Sequence, residues 1–217
     1  MKLKKSFFQI VTLSLLSTNF AYATNEQDKL FQEGIDAYSK GDYRTTVERW
    51  LPLAEQGYNK AQYNLGVMFE KGVGVEQNYH QAVKLYQLAA KQNYSYAQFN
   101  LAVMYTKGLG IRQDHNQALN LYTSAAEQGL VNAQFNLAAK YEKGEGVKQD
   151  LPLAVKWYQK AADQGDIGSQ YRLAQLYLNG KGVEQDIKKS KELFGVVCDS
   201  GEQNGCDEYR KLNEQGY

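Results

Sequence analysis

Three residue patterns in this 217-residue chain could do chemistry: a glycine loop, two histidines, and recurrent aromatic–asparagine pairs ending in an arginine. Gly144-Glu145-Gly146, followed by Asp150, is a G-x-G that could cradle a phosphate. Such loops follow a β-strand, so that backbone N–H groups at a helix start can face the anion. No strand-like alternation precedes Gly144. The same spacing also recurs as Gly72/Gly74, Gly108/Gly110 and Gly180/Gly182. One such loop could be a site, but four at a constant interval are punctuation in a repeated unit.

The remaining catalytic signals are weak. His80 and His115 fall just after the glycine connector at near-equivalent places and read as surface residues. The chain has no H-E-x-x-H, no G-x-S-x-G, no S-x-x-K, no H-x-H-x-D and no clustered metal ligands. No catalytic residue, metal or cofactor is expected.

The elements that carry these residues repeat every 36 positions. AQYNLGVMFEKGVGVEQN starts at Ala61, AQFNLAVMYTKGLGIRQD at Ala97, AQFNLAAKYEKGEGVKQD at Ala133 and SQYRLAQLYLNGKGVEQD at Ser169. The second halves align as well: Ala82, Ala118, Ala154 and Ser190, then Tyr86, Tyr122, Tyr158 and Phe194. Each unit reads as two helices. Leu65 and Phe69, four apart, mark the packed face of the first. Lys71 then Gly72 closes it, with a cation in the last turn and a residue able to take positive φ. Asn78, Asp114, Asp150 and Asp186 are N-cap types for the second helix. Gly66, Ala102, Ala138 and Ala174 sit where two helices approach closely. Tyr86 and its equivalents would fill the space between units, and Val75, Ile111, Val147 and Val183 would fold back onto the helix pair.

The expected organisation is a leader over 1–23 and a looser helix pair over 24–60, built around Gly41-Asp42. Four repeats follow at 61–96, 97–132, 133–168 and 169–204, then a capping helix over 205–217. The leader reading rests on Lys2, Lys4 and Lys5, an apolar run from Phe7 to Leu16, and Ala21-Tyr22-Ala23, which predicts cleavage after Ala23. That run is shorter than the ~20 residues a membrane span needs, so no membrane insertion is expected after cleavage. The expected location is the periplasm or outside the cell. Removing the leader's three lysines leaves 22 basic residues against 24 acidic ones, a net charge of −2. That balance gives no support for nucleic-acid binding by phosphate neutralisation.

The motifs A-Q-[YF]-N-L-[GA]-x-M-[YF], K-G-x-G-[VI]-x-Q-D and A-x-x-[LW]-Y-x-x-A-A-x-Q-G resemble those of the Sel-one-like repeat (SLR) family, relatives of tetratricopeptide repeats. The likeness covers residues 61–204 well and 28–60 more loosely. It implies an all-α fold: an α/α solenoid, or superhelix, of stacked antiparallel helix pairs with a concave inner face. VVCDSGEQNGCDEY further resembles the C-x7-C bridge of exported, cysteine-rich SLR proteins of the Hcp type, implying a disulfide between Cys198 and Cys206. Export to an oxidising compartment favours that bond; the other reading is two buried free thiols.

On the expected concave side lie Tyr63 and Asn64, Phe99 and Asn100, Phe135 and Asn136, and Tyr171 and Arg172. Asparagine matches both donor and acceptor of an extended peptide, and Arg172 could hold a carboxylate bidentately. The other reading is that the asparagines tie adjacent helices together. The expected function is a monomeric, non-catalytic exported scaffold that binds a protein, a peptide or a cell-envelope component. The alternative is a β-lactamase-like or penicillin-binding activity, as attributed to some cysteine-rich SLR relatives.

Overall fold

The computed structural model describes residues 26–217; the expected leader and its cleavage site after Ala23 lie outside the described residues. The described residues form eleven α-helices and no strand. They are α1 (26–39), α2 (Tyr43–Glu55), α3 (Asn59–Lys71), α4 (Tyr79–Lys91), α5 (Ser95–Lys107), α6 (His115–Glu127), α7 (Val131–Lys143), α8 (Leu151–Ala162), α9 (Ile167–Asn179), α10 (Ile187–Asp199) and α11 (Gln203–Glu214). Two compact units divide them between Gln92 and Asn93. The first helix pair therefore shares a unit with the first 36-residue repeat, and the second unit holds α5–α11.

Caps fix each boundary. Asn78, Asp114, Asp150 and Asp186 accept from backbone N–H groups of α4, α6, α8 and α10, satisfying donors that would otherwise be orphaned. The first helices begin two residues before the Ala-Gln motif, because Tyr58, Tyr94, Leu130 and Asp166 are the extended N-cap residues. At the other end Gly144 closes α7 in the left-handed region, φ +74°, as its counterparts close α3, α5 and α9.

The second glycine of three connectors, Gly74, Gly146 and Gly182, has a steric role as well. Gly146 has φ +75°, and a Cβ there would lie 2.6 Å from His115 Cβ and 3.1 Å from His115 O. The connector of one repeat thus lies directly on the first residue of the preceding repeat's second helix. Gly182 meets Leu151 in the same way, and within the first unit Gly74 meets Tyr43. The G-x-G is a stacking device.

Aromatic and small residues fill each pair. Gly66 leaves room for Tyr86, whose ring would lie 2.7 Å from an added Cβ. In the first unit Gly34 does the same for Trp50, whose indole N–H donates to Phe31 O at 3.0 Å. Phe31, Trp50, Leu53, Leu65 and Met68 form that unit's core, with Val75 folded onto it. Tyr122, Leu137, Trp157, Tyr158 and Leu173 run through the second unit as one apolar cluster. Phe194 and Leu212 continue the burial to α11, where the Cys198 and Cys206 sulfurs are bonded.

A glutamine relay joins the pairs. Gln92, Gln128 and Gln164, beyond the ends of α4, α6 and α8, donate to the Oε1 atoms of Gln62, Gln98 and Gln134 at 2.9, 2.7 and 2.8 Å. Gln62 and Gln134 donate onward to Ala54 O and Ala126 O at the end of the preceding helix, at 2.9 and 3.1 Å. A bond from the C-terminal end of one helix to the N-terminal end of its partner requires the two to run antiparallel. In the last repeat Ser200 stands at the donor's register. Gln170 Oε1 is buried there with no hydrogen-bond partner among the described residues.

Candidate functional site

The first-helix aromatics are half-buried, and each ring packs on the second-helix aromatic of its own repeat. Ring centroids are 5.9 Å apart for Tyr63–Tyr86 and 5.8 Å for Phe99–Tyr122. They are 5.6 Å apart for both Phe135–Tyr158 and Tyr171–Phe194. The last three pairs meet edge to face, the arrangement that aromatic quadrupoles favour. Each ring thus packs on its own helix pair, and the Phe135 ring also lies close to Gly168 at the start of α9.

The asparagines beside them are also half-buried. Asn64 Nδ2 donates to Lys60 O and Asn136 Nδ2 to Asn132 O, each at 2.7 Å and within its own helix. These two bonds stay within α3 and α7 and orient those amides along the helix. Arg172 is partly engaged: Nη1 donates to Gln175 Oε1 at 2.8 Å, and Nη2 lies 3.5 Å from Glu142 Oε1.

Three of the eight expected residues surround one cavity of about 250 Å3 in the second unit: Phe135, Asn136 and Arg172. Lys140, Lys143, Glu145, Tyr122 and Tyr158 also line it. Tyr63 and Asn64 occupy the equivalent register of the first unit. Phe99, Asn100 and Tyr171 do not line this cavity.

Lys140 is the residue that sequence reasoning missed. Its register in the other repeats holds Met68, Met104 and Leu176, all buried. The Lys140 side chain is itself only 5% exposed, with its ammonium 3.9 Å from Glu145 Oε2. The same ammonium lies 5.5 Å from the centre of the Tyr122 ring, within cation–π range. Burial holds its pKa below the usual lysine value, and Glu145 partly opposes the shift.

Glu145 is the middle residue of the G-x-G, where the other repeats carry Val73, Leu109 and Lys181. A lysine at a core register and an acid five residues later, both in one repeat, was the available signal. The Gly144–Gly146 loop thus takes part in the site through its acidic residue.

The cavity's charge is uneven. Glu145 is shared by Lys140 and by Lys143 at 3.7 Å. Glu142, beside the cavity, accepts from Tyr158 Oη at 2.8 Å while facing Arg172. Burial, and then the Glu142 carboxylate, push the Tyr158 hydroxyl far above its ordinary pKa, so it stays a donor. Three cations thus face two carboxylates. His80 and His115 are exposed. Among the described residues no group of three or more His, Cys, Asp or Glu could hold a metal ion.

Comparison with known proteins accounts for the repeat. The family model for the Sel1 repeat matches residues 59–94, 95–130, 131–166 and 167–196, more than half of the chain. No curated protein matches significantly. Among solved structures, one similar chain is a protective antigen of uropathogenic Escherichia coli strains described as displaying an SLR fold. It is 32% identical with a TM-score of 0.84, over 90% of this chain and 43% of that one. This chain therefore spans less than half of that antigen's length. A Sel1 repeat protein from Oxalobacter formigenes is 28% identical with a TM-score of 0.78, over 86% of this chain and 76% of that one. A Sel1-type structure from Klebsiella pneumoniae is similar in fold alone, at 20% identity and a TM-score of 0.55, over 88% of this chain and 95% of that one. Its fold is the all-α solenoid of stacked antiparallel helix pairs, and the chain belongs to the Sel1 repeat family.

Proposed function

We propose that this protein is a non-catalytic scaffold that binds an extended peptide segment of a partner protein. Sel1 repeat proteins generally serve as protein-interaction scaffolds. The peptide would lie across the first-helix face of the second unit, on α5, α7 and α9. The observation that carries the reading is the cavity between these helices, where a half-buried ring, an amide and an arginine from two repeats converge. Rings fixed edge to face lose little entropy on binding. Amides held by their own helices are already oriented toward a backbone donor or acceptor. Tyr63 and Asn64 offer the same pair in the first unit. The protein would work as a monomer after cleavage behind Ala23, in the periplasm or outside the cell, where the partner could include a component of the cell envelope.

A peptide array probed with the full processed chain tests this. Bound sequences should be lost by an Asn100→Ala/Asn136→Ala double variant whose melting curve matches the wild type. An array without any bound sequence, or a double variant that binds unchanged, contradicts the reading. Nitrocefin turnover by the pure protein, abolished by substitution in the cavity, would instead establish a hydrolase.

A further inference from the structure

We propose that the cavity around Lys140 is a carboxylate-binding subsite, with Lys140, Lys143 and Arg172 as the groups that receive the anion. The inference rests on the peptide-binding reading only for where that carboxylate comes from. Four observations carry it.

Lys140 stands where sister repeats place Met68 and Met104, so the fold itself does not require a charge there. A buried ammonium is costly unless it is paired at close range. Its carboxylate neighbour Glu145 is at 3.9 Å, beyond hydrogen-bond distance, and is shared with Lys143 at 3.7 Å. The ammonium's residue lines the cavity, and its ion pair with Glu145 is longer than a hydrogen bond. Arg172, which also lines the cavity, donates from Nη1 to Gln175 Oε1, while its Nη2 stands 3.5 Å from Glu142, whose other oxygen is taken by the Tyr158 hydroxyl.

The surplus of one positive charge suits a monoanion. A dianionic phosphate would bring both its charges beside Glu145 and Glu142. A volume of about 250 Å3 admits a carboxylate with a short stem, and Phe135 and Tyr122 give the stem an apolar wall. Asn136 is placed to donate or accept next to the anion.

A carboxylate can come from a peptide's C-terminus or from an Asp or Glu side chain. Both use the same donors, and a paired design separates them. Array peptides are made with a free or amidated C-terminus, and with internal Asp/Glu or Asn/Gln. Loss of a charge-assisted hydrogen bond corresponds to about ten- to a hundred-fold in Kd. Wild-type protein should prefer one carboxylate source over its amide by that factor, and Lys140→Met should erase the preference. This variant carries the residue of two sister repeats, so it is expected to fold.

A second measurement is independent of any peptide. The full chain is titrated with propionate and with propionamide while the Lys140 side-chain carbon resonances are followed by NMR. A saturable response to propionate alone supports the subsite even if the array is blank, a result that would remove only the peptide reading. Equal response to both, or to neither, overturns the subsite. Tighter retention of phosphopeptides than of carboxylate peptides overturns it as well.

Discussion

Ser200→Gln is expected to stabilise the last repeat by completing the glutamine relay. Three repeats place Gln92, Gln128 and Gln164 thirty residues after the glutamine they donate to, at 2.9, 2.7 and 2.8 Å. The fourth has Ser200 at that register, and Gln170 Oε1 is buried without a partner among the described residues. A buried unsatisfied acceptor costs about 1–3 kcal/mol. Against recovery of that cost stand two losses. Ordering a partly exposed glutamine costs on the order of 1 kcal/mol. The Ser200 Oγ bond to Val197 O also disappears, although water can replace it at this exposed helix end. The net gain is then about 0.5–1 kcal/mol, or roughly 1–4 °C in Tm for a chain of this size. The backbone already suits the change: Ser200 has φ −77° and ψ −1°, and Gln128, at the same register, has −78° and 2°. Urea and thermal unfolding should be run on wild type, Ser200→Gln, Gln170→Met and the double variant. A hydrogen bond between the two side chains predicts a coupling between the positions that accounts for the gain. If Ser200→Gln stabilises equally in the Gln170→Met background, the hydrogen bond is not the cause. If it destabilises in both, the relay contributes nothing at this end.

Three further outcomes follow from the packing. Tyr122→Ala should cost about 3–5 kcal/mol, since the ring is buried and contacts Phe99 and Lys140; an unchanged melting curve would contradict the assigned register. Gly146→Ala should cost about 2–4 kcal/mol, from positive φ plus the overlap with His115. Gly129→Ala, with positive φ but open space, should cost only the backbone part, and equal losses in chemical denaturation would refute the stacking role of the connector. Reducing the Cys198–Cys206 bond should lower stability by about 2.5 kcal/mol in the chain-entropy account, because it closes a short loop between α10 and α11. Hydrogen exchange of α11 should accelerate on reduction, and unchanged protection there would show that Leu212 and Gly205 packing alone holds the helix.

Much of the fold was legible because the chain states it four times. Caps such as Asp114 and Gly144 act locally, so residue type and spacing sufficed to place them. The stacking role of Gly146 was not legible, since it depends on meeting His115, 31 positions earlier, across a repeat boundary. The relay was hidden for a similar reason: glutamines in a helical repeat read as surface residues until a partner thirty residues away is in place. The candidate site was half legible. Phe135 and Asn136 on α7 and Arg172 on α9 follow from the same face of each repeat's first helix. Lys140 required reading the repeats against one another, and asking why one copy alone puts a charge in the core. A consensus averages away that difference, and the difference is where the repeats carry separate function.

Hydrogen–deuterium exchange of the full processed chain, with and without the best peptide from the array, tests the account most directly. Binding on the first-helix face predicts added protection confined to α5, α7 and α9, with the segment around Lys140 among the strongest, and none in the connectors at 72–78 or 180–186. Protection centred on the second helices or on the connectors, with α7 unchanged, would contradict it.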